Sequence, residues 1–344
     1  MALGSNHKTG ATQAVFIPEI WSDDVIAAYK KNLVLSNLVT KLNHNGKKGD
    51  TIHIPAPTRG SASAKAASTQ VTLIANTESE IALNINKHYE YSYIIEDIAE
   101  KQGLSSMRGF YTDDAGNALA EQVDQDLHLL GAGLQGSTAY STAVIGGDGS
   151  TVFDPTASTN TGNGSTLTDD GIRKMIQTLD DVNVPQADRV LVIPPVERNT
   201  MMGIARFTEQ AFVGEVGGSN TIRNGMIGEV YGVPVYVSTH CPWVHVNSVT
   251  GTFSVTGSSA IPTGAAYVDL LGVTVDWSTS SPTDATYRSC MAFHKSAVVH
   301  IEQMGVRSQA QYKQEYLGDL FTADTIYGVG ELRNDAGVAF IVPS

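Results

Sequence analysis

The chain has 344 residues, 42% of them hydrophobic, with 22 basic and 35 acidic side chains and a formal charge of −13. That length supports one or two domains with a sizeable core, and the acidic balance argues against a sequence-specific nucleic-acid reader while allowing a locally basic surface to face a polyanion. Two cysteines, Cys241 and Cys290, are too few for a disulfide framework; no apolar run reaches membrane-spanning length, and Met1 to Gly10 lacks the apolar centre of a secretion signal.

Residues 1–15 are small and polar. Pro18, followed by Glu19, Asp23 and Asp24, suits the start of a short helix on which Trp21, Val25 and Tyr29 share one stripe. Lys47-Lys48-Gly49-Asp50 signals a tight turn, after which Thr51-Ile52-His53-Ile54-Pro55 alternates as a strand does. A Gly/Ala/Ser-rich stretch from Gly60 to Ser68 leads to a second alternating run, Val71 and Leu73, then Ile81, Leu83 and Ile85. The pattern predicts a long hairpin whose small-residue tip cannot fold back onto a core, so it needs another surface to lie on.

The strongest helical pattern opens at Thr112, a predicted cap with Asp113 and Asp114 in the first turn. Ala115, Ala118, Leu119, Val123, Leu127, Leu130 and Leu134 form its apolar face, and Glu121, Gln122, Asp124, Gln125 and Asp126 fill the remaining positions. Residues 146–166 read as loop; Thr168 then caps a helix with Ile172, Met175, Ile176 and Leu179 on one stripe. Val190 to Pro194 is a buried-strand pattern, Glu197 to Ala205 a further helix, and Val233 to Val237 an edge or bulged strand because of Pro234. Gly214, Gly217 and Gly218 interrupt the pattern between them. Cys241 to Pro282 carries short Thr/Ser-rich strand patterns of unassigned order; Cys290 to His300, Val306 to Tyr327 and Gly337 to Val342 are more regular, the last closing the chain inside a sheet.

No set of residues assembles an active site. There is neither a Gly-Lys-Ser/Thr phosphate loop nor a Gly-x-Ser-x-Gly elbow, and Gly214-Glu215-Val216-Gly217-Gly218 lacks the strand and helix that a dinucleotide fingerprint requires. His240, Cys241 and His245 carry metal-type atoms without a second matching pair, which favours ordinary structural residues. His294 and His300, six apart in one strand-like run, would share a face, yet no carboxylate or cysteine joins them. Asp113-Asp114 and Asp169-Asp170 are accounted for by helix-end electrostatics. No catalytic residue, cofactor or metal is therefore expected. Over residues 1–50 six lysines face four carboxylates, a mildly basic arm. It suits non-specific phosphate contacts or ion pairs to an acidic neighbouring subunit.

Taken in order, these pieces resemble the major capsid proteins of tailed bacteriophages, particularly the podovirus-like branch, which adopt the Hong Kong 97-like fold. The likeness is carried by Asn37-Leu38-Val39-Thr40 with Gly46-Lys47-Lys48-Gly49-Asp50-Thr51-Ile52, and by Val184-Pro185-Gln186-Ala187-Asp188-Arg189-Val190. It continues through Ile222-Arg223-Asn224-Gly225 with Gly232-Val233-Pro234-Val235, Ala292-Phe293-His294-Lys295-Ser296-Ala297-Val298, and Tyr327-Gly328-Val329-Gly330-Glu331-Leu332-Arg333.

The resemblance implies an α+β fold with an N-terminal arm at 1–49, an extended loop at 50–90, and a peripheral domain at 91–167 and 306–330 with a spine helix at 112–134. An axial domain would take 168–305 and 331–344, with 241–285 as an elaboration. It further implies hexamers and pentamers in an icosahedral shell around packaged double-stranded DNA, a portal protein at one vertex, a decoration protein, and assembly in the host cytoplasm. Because the arm begins at once, a separate scaffolding protein is expected. Inter-subunit contacts are expected at Trp21, Val25, Tyr29, Ile52, Ile54, Lys65, Val71 and Leu73, lumen-facing basic residues at Lys30, Lys31, Lys41, Lys47 and Lys48, and an axial loop at Gly214, Gly217 and Gly218. Lys65 sits near the loop tip, but no asparagine or glutamate partner for a crosslink can be matched to it. The rivals are a cellular nanocompartment shell, which shares the fold without a genome, a tail-tube or adhesin-like surface protein, and an enzyme using His294 or Asp170.

Overall fold

The computed structural model of the protein describes residues 33–44, 48–57, 60, 62–71, 73, 78–98, 107–131, 133–134, 145–149, 166–204, 228–247, 252–256, 266–268, 274–276 and 286–343. A 3-10 turn at Leu35–Asn37 precedes β1 (Thr40–Asn43). Then come the hairpin strands β2 (Thr51–Pro57) and β3 (Glu78–Asn84), followed by β4 (Lys87–Glu96) and the long helix α1 (Met107–Gly131). The middle of the chain supplies β5 (Ile145–Gly146), α2 (Asp169–Asp181), β6 (Arg189–Ile193), α3 (Pro195–Met202), β7 (Glu229–Val230) and β8 (Val233–Val237). After these come β9 (Trp243–Asn247), β10 (Thr252–Thr256), β11 (Ala266–Val268), β12 (Thr274–Asp276) and β13 (Thr286–His294), then β14 (Val298–Lys313), β15 (Gly318–Glu331) and β16 (Gly337–Pro343).

Two sheets organise this chain. The first runs β1-β14-β15-β4 and is built on the long antiparallel pairing of β14 with β15, bent by register shifts between Glu302 and Arg307. Strict alternation along Lys87–Glu96 turns Tyr89, Tyr91 and Tyr93 inward and leaves His88, Glu90 and Ser92 exposed. The second sheet has eight strands around β13, which pairs with β16 over Tyr287–Phe293 on one side and with β6 and then β9 on the other. β6 is buried at every position and β16 at all but its last, which explains the apolar run after Arg189 in β6 and that of β16.

Helix α1 connects the two sheets. Ala115 and Leu119, in its first half, pack with Ala323, Tyr89, Tyr91 and Phe321 of the four-stranded sheet. Leu127 and the following Leu134 belong to the main core with Met291, Phe293, Val338 and Phe340 of the eight-stranded sheet. The helix starts five residues before the predicted cap at Thr112. Contacts with β4 carry it through the Thr112-Asp113-Asp114 run: Tyr93 Oη lies 3.2 Å from Thr112 Oγ1, and Tyr91 Oη donates to Asp114 Oδ2 at 3.4 Å. Thr168, by contrast, is the cap of α2, its side chain accepting from the Gly171 amide at 3.1 Å. The predicted Glu197 helix begins two residues earlier, at Pro195, where proline suits the first turn.

One histidine pairing is corrected. His294 ends β13 and His300 lies inside β14, with a turn between them at Lys295–Ala297, so the two do not share a strand face.

Candidate functional site

Two features stand out from the packed body: an extended hairpin and a buried polar joint. β2 and β3 pair from Thr51↔Asn84 to Pro57↔Glu78, setting Ile52 against Leu83 and Ile54 against Ile81. The base is anchored to the body, since the Ile85 amide donates to the Asp50 carbonyl at 2.7 Å and Gln303 Nε2 to the Gly49 carbonyl at 2.9 Å. Beyond it, Ala62 to Gln70 are exposed, as is Lys65. Val71 and Leu73 are 68% and 91% exposed and stand outside any strand, whereas the second alternating run was expected to begin with them.

Ile52 and Ile54 are half-buried within the chain itself, packed against the cluster of Leu83, Ile85, Val299 and Ile301 at the root of the hairpin. Farther out on the hairpin, Val71 and Leu73 are among the most exposed apolar side chains of the described residues, beside Ile98, Val306, Tyr316 and Leu317 elsewhere. Lys41 is exposed on β1, its ammonium donating to Asn37 Oδ1 at 3.3 Å, and Lys48 is exposed at the hairpin root. Trp21, Val25, Tyr29, Lys30, Lys31, Lys47, Gly214, Gly217 and Gly218 lie outside the described residues, as does most of 248–285.

The joint is centred on Asp124 of α1, fully buried. Its Oδ1 accepts from the amides of Val34 and Leu35 at 3.2 and 2.7 Å, and its Oδ2 accepts from His240 Nδ1 at 2.7 Å. His240 Nε2 lies 3.4 Å from Glu121 Oε1, one helical turn away. His128, also fully buried, donates from Nδ1 to the Asp124 carbonyl at 2.7 Å, and its ring meets that of His240 edge-on at 5.7 Å. Burial opposes ionisation of Asp124, but the His240 hydrogen bond, the His128 imidazole and the Leu35 amide together hold its carboxyl below the usual range. Burial pushes His128 down to about 4, against the pull of Asp124.

Asp124, His128 and His240 bring donor atoms within 4.8 Å of one another, a spacing that alone would suit a metal centre. Both carboxylate oxygens are already engaged by backbone amides and an imidazole, so Asp124 is committed to hydrogen bonds in this structure. The arrangement ties three segments of chain together. Cys241, the next residue after His240, is buried, and burial pushes its thiol up to about 12.

Sequence reading assigned Asp124 and Asp126 to the polar face of the helix, yet both are buried. Asp126 accepts from Tyr327 Oη at 2.6 Å and pairs with Lys87 Nζ at 3.1 Å. The Asp124–His128 spacing of four was the available local signal.

A long helix spanning two sheets, a projecting two-stranded loop and a terminal strand buried between β13 and β5 define the Hong Kong 97-like fold of phage capsids. Solved structures agree. The protein of Mycobacterium phage Che8 superposes with a TM-score of 0.64 at 20% identity, covering 94% of this chain and 97% of that one. The capsid of cyanophage P-SCSP1u gives 0.66 at 18% identity over 99% and 97%. The acid-stable capsid of Helicobacter pylori bacteriophage KHP30 gives 0.67 at 11% over 99% of both chains. At these identities the likeness is one of fold. A search of curated proteins finds no match. The profile of the family described as phage capsid protein matches residues 104–293, more than half of the sequence, and the chain belongs to that family. It is a structural component of a bacteriophage capsid.

Proposed function

We propose that this chain is the repeating tile of an icosahedral shell, assembled through hexamer-like and pentamer-like rings around packaged double-stranded DNA. The observation that carries this reading is the distal half of the hairpin, which extends past its anchored root with Val71 and Leu73 exposed. A segment of this kind gains its burial only by lying on another copy, and repetition around a closed symmetry gives many weak contacts a large summed effect.

The paired sheets and α1 supply a rigid tile, in the roles of the peripheral and axial domains that the resemblance implies. Confinement of DNA constrains charge as well. With a net charge of −13, an acidic inner wall would repel the genome, so the acidic surface belongs outside and between subunits while Lys41, Lys48 and the lysines before them belong nearer the lumen. Scaffolding, portal and decoration proteins are the partners that the resemblance brings to this reading.

Electron microscopy of the purified full-length protein, with and without a co-expressed scaffold, tests it. Closed shells with five- and six-fold rings are expected. Monodisperse monomers under both conditions, or open tubes, would overturn the proposal.

A further inference from the structure

We infer that Asp124, His128 and His240 form an acid-released latch, which holds the backbone at Val34–Leu35 and the loop after β8 against helix α1 at neutral pH and frees them when His128 is protonated. The inference does not depend on how the shell is built.

The latch joins parts of the chain that nothing local would hold together. Asp124 Oδ1 receives two amides from the point where the N-terminal segment enters the described fold, and Oδ2 receives His240 from the eight-stranded sheet. All three acidic and basic side chains are buried, so their proton inventory matters more than it would at a surface.

The hydrogen bonds assign the protons. The ionised carboxylate and the Asp124 carbonyl can only accept, so His240 carries a proton on Nδ1 and His128 carries one on Nδ1. His128 Nε2 is then proton-free, and among the described residues it has no hydrogen-bond partner although it is buried. A second proton there would be a donor without an acceptor and would place a positive charge edge-on to His240. The charged and titratable groups around it do not offset this. Asp124 on the same helix favours the charge, but both its oxygens are engaged; Glu121 lies beyond His240. Cys241 follows His240, and Arg288 of β13 is directed to the Thr239 and Cys241 carbonyls. Opening the latch lets water take the Nε2 proton's hydrogen bond, so acid favours the open form.

Hydrogen exchange measured by mass spectrometry on the full-length protein tests this. Once corrected for the intrinsic exchange rate, protection of the peptide containing Val34 and Leu35 should fall about 20-fold between roughly pH 7 and pH 5, from the ordinary imidazole value and the lowered one. In His128→Phe that fall should vanish. Protection that is independent of pH in the wild type, or a fall of the same size in the variant, would overturn the latch. Should His128→Phe not fold, exchange at the histidine C2 carbon of the wild-type protein decides: a midpoint below about 5 for His128, coincident with lost protection, supports the latch, and a midpoint near 6.5 with the segment still protected refutes it.

Discussion

His240 Nδ1 sits 2.7 Å from Asp124 Oδ2, joining residues 116 positions apart in the sequence and tying helix α1 to the turn between β8 and β9 of the eight-stranded sheet. Asp124→Ala would leave two amides and an imidazole without their acceptor in a buried site, so a loss of about 3–5 kcal/mol is expected. Asp124→Asn retains an acceptor for Val34 and Leu35 and should lose less than half as much. Denaturant midpoints of unassembled subunits measure both, and equal losses in the two variants would show that the charge, not the hydrogen-bond geometry, dominates.

Much of the fold could be read from local pattern. Thr168 caps α2 as its sequence suggests, the alternation from Thr51 predicts β2, and the closing apolar run is β16, buried between β13 and β5. The joint could not be read in this way. Asp124 and His128 look like ordinary polar positions on an amphipathic helix, and their burial is decided by Leu35 and His240, which approach only after the chain has folded. The same limit applies to the hairpin. Ile52 and Val71 have similar sequence surroundings, but only the first finds Val299 and Ile301 beneath it.

Glu197 is a buried carboxyl with the opposite pH sense. It is fully buried at the start of α3; Oε2 accepts from the Leu167 amide at 2.9 Å, while Oε1 has no partner among the described residues. Burial raises its pKa above 4.5, more strongly than the Leu167 amide and Thr200 lower it. The folded state thus holds this proton more tightly than the unfolded chain. Its contribution is complete below the ordinary carboxyl value and is lost as pH rises through the raised one. Glu197→Gln should match or exceed wild-type stability at about pH 8 and flatten this slope, whereas Glu197→Ala should cost about 2 kcal/mol by orphaning the Leu167 amide. A Gln variant with an unchanged slope would remove Glu197 as the cause.

Glycine substitutions in the two helices should have opposite effects. A Cβ at Gly116 of α1 meets nothing within 4 Å, so Gly116→Ala should stabilise the subunit by about 1 kcal/mol through helix propensity. At Gly171 of α2 a Cβ would collide with the Gly147 carbonyl, which already accepts from the Thr168 amide at 3.1 Å. Gly171→Ala should therefore destabilise by about 2 kcal/mol despite the same propensity gain. Thermal midpoints of the two variants, compared directly, check the sign of each.

The hairpin separates subunit stability from assembly more cleanly than any other element. Leu73 is 91% exposed and no side chain among the described residues covers it, whereas Ile52 packs into the cluster of Leu83, Ile85, Val299 and Ile301. Leu73→Asp should leave the melting of the isolated subunit unchanged. If Leu73 is buried against a neighbouring copy, the variant forfeits about 2 kcal/mol per contact, a roughly 30-fold rise in the protein concentration needed for assembly. Ile52→Asp should instead lower subunit stability itself, because it places a carboxylate beside apolar side chains in the folded monomer. Circular dichroism melting of subunits, paired with particle counts by electron microscopy across a concentration series, reads both quantities. Wild-type assembly by Leu73→Asp would remove the distal hairpin from the set of inter-subunit contacts, and a lowered subunit melting point would mean that Leu73 packs on its own chain after all.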